Sequence, residues 1–111
     1  MLPFIMIDVR EYLDTVGRSP VGKWFKALDP TSAAKVTVVI VRMTQGHISN
    51  VKAVGEGGLE YKIHFGPGYR IYFGKHRNEL IILLAGGTKK HQSDDIETAK
   101  ARWNDYKGRQ N

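Results

Sequence analysis

Between Leu59 and Phe73 the chain reads LEYKIHFGPGYRIYF, and no other stretch restricts the fold as tightly. Leu59, Tyr61, Ile63 and Phe65 alternate with Glu60, Lys62 and His64, and past the turn Tyr69, Ile71 and Phe73 alternate with Arg70 and Tyr72. A period of two is that of half-buried β-strands. Gly66-Pro67-Gly68 supplies the turn that joins them. A three-residue loop there pairs Phe65 with Tyr69, His64 with Arg70 and Lys62 with Tyr72. The expectation is a hairpin with one face on the core and a polar face carrying Lys62, His64, Arg70 and Tyr72. Like charges opposite one another in a sheet repel, and an anion relieves the conflict. A phosphodiester suits a chain with 17 Lys+Arg against 11 Asp+Glu, a formal net charge of +6 and a pI near 9.7. Two plain alternatives stand beside this: a merely solvated cationic face, and a structural ion pair of Arg70 with Glu60 on the same face.

The 111 residues suffice for one domain, spanning 1–111, with a single core. Without cysteine there are no disulfides, thiolate nucleophiles or cysteine-based zinc sites. The four histidines show no HxxxH spacing, which leaves a weak case for a metal, and no cofactor is expected. The opening MLPFIMIDV is apolar but has no basic leader or small-residue cleavage site, and Asp8 and Arg10 cut it well short of a membrane span.

Hydrophobic spacing orders the remaining elements. Phe4 to Val9 reads as a strand. Ser19-Pro20 opens a helix, with Ser capping free amides and Pro tolerated at the first helical position, and Val21, Trp24, Phe25 and Leu28 share a stripe. Asp29-Pro30 ends it. Thr31 to Gln45 carries Ala33, Val36, Val39, Ile40 and Met43 at helical spacing despite a β-branched run, and Gly46 is its stop. Gly46 to Leu59 reads as a glycine-rich loop. Leu80 to Ala85 is an unbroken apolar run suited to a strand covered on both faces, ended by Gly86-Gly87. Asp94 and Glu97 have the spacing of a capping box before a last helix striped by Ile96, Ala99, Trp103 and Tyr106. The order is β-α-α-β-β-β-α, an α+β fold.

The hairpin KIHFGPGYRIYF, the later LLAGGTKKHQSDDIETAKARW and the early SPVGKWFKALDP together resemble the addiction-module killer proteins, HigB-like toxins of the RelE/ParE superfamily. The likeness runs over nearly the whole chain. It implies two N-terminal helices packed on a mostly antiparallel four-stranded sheet with a C-terminal helix. It further implies a cytoplasmic toxin of a type II toxin-antitoxin system, held by a cognate antitoxin of helix-turn-helix type, the complex binding operator DNA through the antitoxin. In the RelE-like branch the activity is cleavage of messenger RNA on the ribosome; in the ParE-like branch the same fold inhibits DNA gyrase without catalysis. A basic module that binds RNA without cutting it is a third reading.

Carried over residue by residue, the resemblance places Lys62 and His64 where RelE-type enzymes have two strand lysines, Arg70 on the arginine of the GYR element, and Lys90 on a basic residue after the last strand. The family's tyrosine in the final segment corresponds to Ile96, so either another group takes the proton or RNA cleavage is not this protein's activity. Histidine titrates nearest neutrality, which makes His64 the candidate base. The implied reaction is attack of a ribose 2′-hydroxyl on the adjacent phosphate. Arg70 faces the developing oxyanion, and Lys62 and Lys90 serve electrostatic stabilisation or leaving-group protonation. Lys52, Tyr72, Lys89, His91 and Gln92 are the expected RNA contacts, Tyr72 by stacking on a base or else by supporting the sheet.

Overall fold

The computed structural model describes residues 6–110. Ser19 caps the first helix as expected. Its side chain accepts from the Gly22 amide at 2.9 Å, Pro20 takes the first helical position, and α1 runs Pro20–Lys26. The chain then reverses at Asp29, whose carboxylate accepts from the Ser32 amide at 3.1 Å and the Ser32 hydroxyl at 2.6 Å and so starts α2, Pro30–Thr44. Those bonds, the hydroxyl's first, hold the Asp29 carboxyl below its ordinary range. The β-branched run of α2 is helical because Val36, Val39 and Met43 recur at the spacing that buries one face. Packing outweighs the strand preference of single residues.

The sheet has five strands, not four. They are β1 (Asp8–Glu11), β2 (Val51–Gly55), β3 (Gly58–Ile63), β4 (Tyr69–His76) and β5 (Leu80–Thr88), in the order β1-β5-β4-β3-β2. The fold is α+β with a mixed sheet: β1 lies parallel to β5 and the other pairings are antiparallel. The first strand begins later than its apolar run implied, and Phe4 and Ile5, with the loose start at Met1–Pro3, fall outside the described residues. The Gly46–Leu59 connection contains the extra strand. β2 is an edge with Lys52 and Ala53 exposed and only Val51 and Val54 partly buried, so it lacks an apolar alternation. Glu56 and Gly57, both at positive φ, make the two-residue hairpin loop to β3.

The β3–β4 hairpin forms two residues out of the expected register. Its loop takes five residues, His64–Gly68, and Lys62 faces Arg70 while Glu60 faces Tyr72. Within the loop the Phe65 amide bonds to the Ile63 carbonyl at 2.9 Å and the Gly68 amide to the Phe65 carbonyl at 3.1 Å. A shift of two keeps every side chain on its face. Tyr61, Ile63, Tyr69, Ile71 and Phe73 therefore join Val21, Val36, Val39 and Met43 in the main core beneath α1 and α2.

The opposite face is covered too. A single 3-10 turn at Lys89–His91 leads into α3, Gln92–Arg109, which lies over Tyr72, Ile82, Leu84 and Ala85 through Ala99 and Trp103. No side chain caps α3, so Asp94 and Glu97 are not a capping box. Asp94 and Asp95 sit in its first turn, where a helix start favours negative charge. β5 continues through Gly86-Gly87 instead of stopping there. A Cβ on Gly86 would lie under 3.0 Å from the Trp24 ring, one on Gly87 as close to the Asp95 carboxylate, and one on Gly74 as close to Trp103. These glycines are the seats of side chains from both helical layers.

Candidate functional site

One row across the sheet carries Lys62 on β3, Arg70 on β4 and Gly87 on β5; the next row inward carries Lys52, Glu60, Tyr72 and Ala85. All lie on the side that α3 covers at its start. Lys62 and Lys52, nearer the edge, remain exposed, whereas Arg70 and Glu60 are each only 4% exposed and Tyr72 is fully buried. The polar face is thus an exposed cationic margin around a sealed polar cluster.

Within the cluster, Arg70 donates from Nη1 to the Gly68 carbonyl at 2.8 Å, which ties its guanidinium back to the hairpin loop. Its Nε stands 3.8 Å from Oε2 of Glu60, an ion pair too long for a hydrogen bond, and is buried without an acceptor. Glu60 accepts instead from Nε2 of Gln92 at 2.9 Å, so the first residue of α3 is fixed to the sheet. The Tyr72 hydroxyl is also buried without a partner. Burial pushes its phenol well above the ordinary value, and the Glu60 carboxylate adds to the effect. Burial likewise raises the Asp95 carboxyl, which sits against Gly87.

Several expectations change accordingly. The Arg70–Glu60 pair, one of the two plain alternatives, is formed, and Arg70 does not face solvent. Tyr72 cannot stack on a base from its buried position; it supports the sheet. Gln92 is half-buried and committed to Glu60, not free for RNA. His64 does not oppose Arg70, because it has left the strand for the loop, where it is exposed. Lys89, Lys90 and His91 are exposed on the 3-10 turn, directly after Thr88, which pairs with Tyr69 at the hairpin end of the sheet. The fold therefore brings Lys62, His64, Lys89, Lys90 and His91 to one end of the molecule, with Lys52 one row inward. Ile96 is half-buried against the α3-side core.

Two contributors were not anticipated. Lys35 of α2 places its ammonium 5.1 Å from the centre of the Phe65 ring, adding a cation at the hairpin tip. Ser32 and Tyr69 share a buried hydrogen bond of 3.0 Å that pins the base of the hairpin loop to α2. Neither is visible in strand alternation, since each joins residues thirty or more positions apart. Among the described residues no cluster of three or more His, Asp or Glu side chains could hold a metal ion, and no helix is long and apolar enough to cross a membrane.

An exposed cationic margin can hold phosphates, and Lys62 and His64 can exchange protons with bound substrate. Arg70, sealed with its counter-ion, adds little net charge to that margin. No family model matches the chain. An uncharacterized protein of Haemophilus influenzae is 38% identical over 78 residues, which cover 69% of this chain and 79% of the relative. The chain belongs to the same family as that Haemophilus influenzae protein.

Proposed function

We propose that the protein is a RelE/ParE-like toxin of a type II toxin-antitoxin system that cuts messenger RNA on the ribosome. The observation that carries the reading is the grouping of exposed Lys62, His64, Lys89, Lys90 and His91 at one end of the sheet, on the segments that resemble the HigB-like toxins. Phosphates of the messenger lie along the margin formed by Lys52, Lys62, Lys89 and Lys90. His64 takes the proton from the ribose 2′-hydroxyl as it attacks the adjacent phosphate, and Lys62 or Lys90 stabilises the phosphorane and protonates the departing 5′-oxygen. In the closed arrangement Arg70 works from beneath, holding the hairpin loop through Gly68; direct contact with phosphate requires Glu60 and Gln92 to give way. The cytoplasm is the compartment this activity needs, and a helix-turn-helix antitoxin is its partner and the bridge to operator DNA.

The gyrase-inhibitor reading is favoured by a different observation: Arg70 is sealed against Glu60 and Ile96 replaces the family's tyrosine, so a full catalytic set is not displayed at the surface. One experiment separates the two. Purified protein is added to translating ribosomes and messenger 5′ ends are mapped, with Lys62→Ala, His64→Ala and Lys90→Ala beside it. New ends that vanish in the variants support the nuclease. Inhibition of DNA supercoiling that the variants leave intact, with no new ends, supports the gyrase reading.

A further inference from the structure

On the far side of the sheet from the basic margin, α1 rests on β5 while α2 spans β1 and β3, and a groove opens between the two helices. Its volume is about 1100 Å³, and its floor reaches the core side chains Val36, Ile71 and Leu83. Its walls are mostly apolar: Trp24 and Phe25 from α1, Ile40 and Val41 from α2. Val41 is 49% exposed at the lip.

Four cations line this groove, Arg18, Lys23 and Lys26 and, from α3, Arg102, which donates to the Leu84 carbonyl at 2.8 Å, and none has a carboxylate within 4.0 Å among the described residues. The two acids beside them are engaged locally. The Glu11 carboxylate accepts the Ser19 hydroxyl, and Asp14 accepts the Val16 and Arg18 amides at 3.0 and 2.9 Å, which draws its carboxyl below the ordinary range. The rim is therefore positive and unpaired around an apolar floor.

We infer that this groove docks an acidic amphipathic helix from a partner protein. The volume lies beyond the range of about 300–1000 Å³ usual for a small-molecule pocket. An apolar channel between helices suits side chains projected at i, i+3, i+4 and i+7 from a helix, and it is not a sheet edge where an extended strand could pair. A second copy of the chain is disfavoured by its own formal charge of +6, which would repel the same rim. The inference concerns the face opposite the basic margin and stands whether or not the chain cuts RNA.

The test is selection from a displayed library of 18-residue amphipathic helices, with the apolar stripe varied among Leu, Ile, Met and Phe and the polar face among Glu, Lys, Ser and Gln. The full chain is the bait. Winners enriched in Glu are expected, with amide shifts on binding confined to α1, α2 and the loop before α1. Val41→Asp, at a half-exposed site, and the charge reversal Lys23→Glu/Lys26→Glu should each weaken the winners about tenfold or more. A urea midpoint close to the parent's shows that each variant remains folded. Enrichment of Lys on the polar face, no enrichment at all, or binding that survives both variants overturns the inference. So does a concentration-dependent dimer in sedimentation that Val41→Asp abolishes, since the groove would then belong to a second copy.

Discussion

Removing Glu60 should destabilise this protein far more than its loose geometry suggests. The carboxylate lies 3.8 Å from Nε of Arg70, and the two side chains are 5% and 4% exposed. An exposed pair at that distance contributes about 0–1 kcal/mol. A sealed one behaves differently, because deleting one partner strands the other charge in a medium that cannot solvate it, at a cost of about 3–5 kcal/mol. In Glu60→Ala, Arg70 keeps only its 2.8 Å bond to the Gly68 carbonyl, and the Gln92 amide loses its 2.9 Å acceptor. Against a total of about 5–15 kcal/mol the loss is a large share, and with a urea slope near 2 kcal/mol/M it moves the unfolding midpoint down by about 2 M. Replacing both members, as in Glu60→Leu/Arg70→Met, should recover most of that loss, to within about 1 kcal/mol of the parent or better. The assay is equilibrium urea unfolding followed by tryptophan fluorescence, applied to the parent and to both variants. A Glu60→Ala cost under about 1 kcal/mol, the value of a solvated pair, would refute the reasoning: α3 would then not seal this face in solution.

Gly74→Ala should cost about 1–3 kcal/mol or more, because its Cβ would meet the Trp103 ring under 3.0 Å, while Gly108→Ala, with nothing within 4 Å in α3, should stabilise by about 0.5–1 kcal/mol. Urea midpoints check both. Burial raises the Asp95 carboxyl, so that residue's contribution is present below the unfolded carboxylate pKa and is lost as pH rises through the folded one; Asp95→Asn should raise the melting temperature at neutral pH, with the advantage fading in acid. Burial, then the 2.6 Å bond to Asp105, raises the Tyr12 phenol above 10.0, so its contribution holds below that pH and falls as pH climbs through the folded value. Melting scans between neutral and strongly alkaline pH should show a smaller loss in Tyr12→Phe than in the parent, the remainder coming from Tyr72, whose phenol burial also raises.

The helices were legible because their signals are local. Ser19-Pro20 and Asp29-Pro30 carry their caps and proline within two residues, and the α2 stripe outvotes its β-branched content within one window. Strand β2 was not legible. An edge strand with Lys52 and Ala53 exposed buries too little to leave a pattern, and its existence is decided by β3 beside it. Alternation in the hairpin sorted Glu60, Lys62, Arg70 and Tyr72 onto one face correctly, since faces survive a shift of two. What alternation cannot say is whether that face meets water. The stripe of Ile96, Ala99 and Trp103 was read, but its docking partner was not, although a signal existed: Gly74, Gly86 and Gly87 within strands mark where rings and a carboxylate press against backbone.

That omission bears directly on the chemistry. Arginine stays charged at any working pH, so Arg70 cannot relieve its burial by losing a proton and must keep a counter-ion. Glu60 fills that place imperfectly, at 3.8 Å and without satisfying Nε, while a phosphodiester offers two oxygens that a guanidinium fork can hold together. On the nuclease reading the internal carboxylate and the messenger's phosphate compete for one cation, and the bond from Gln92 to Glu60 makes the first turn of α3 part of that competition. On the nuclease reading, stability and activity draw on the same guanidinium in opposite directions. On the gyrase reading Arg70 has only a structural duty, and the exposed lysines are a binding surface that no buried pair needs to serve. The cost of breaking the Arg70–Glu60 pair is the same on both readings, so it is the fate of the messenger and of DNA supercoiling in the lysine and histidine variants that tells them apart.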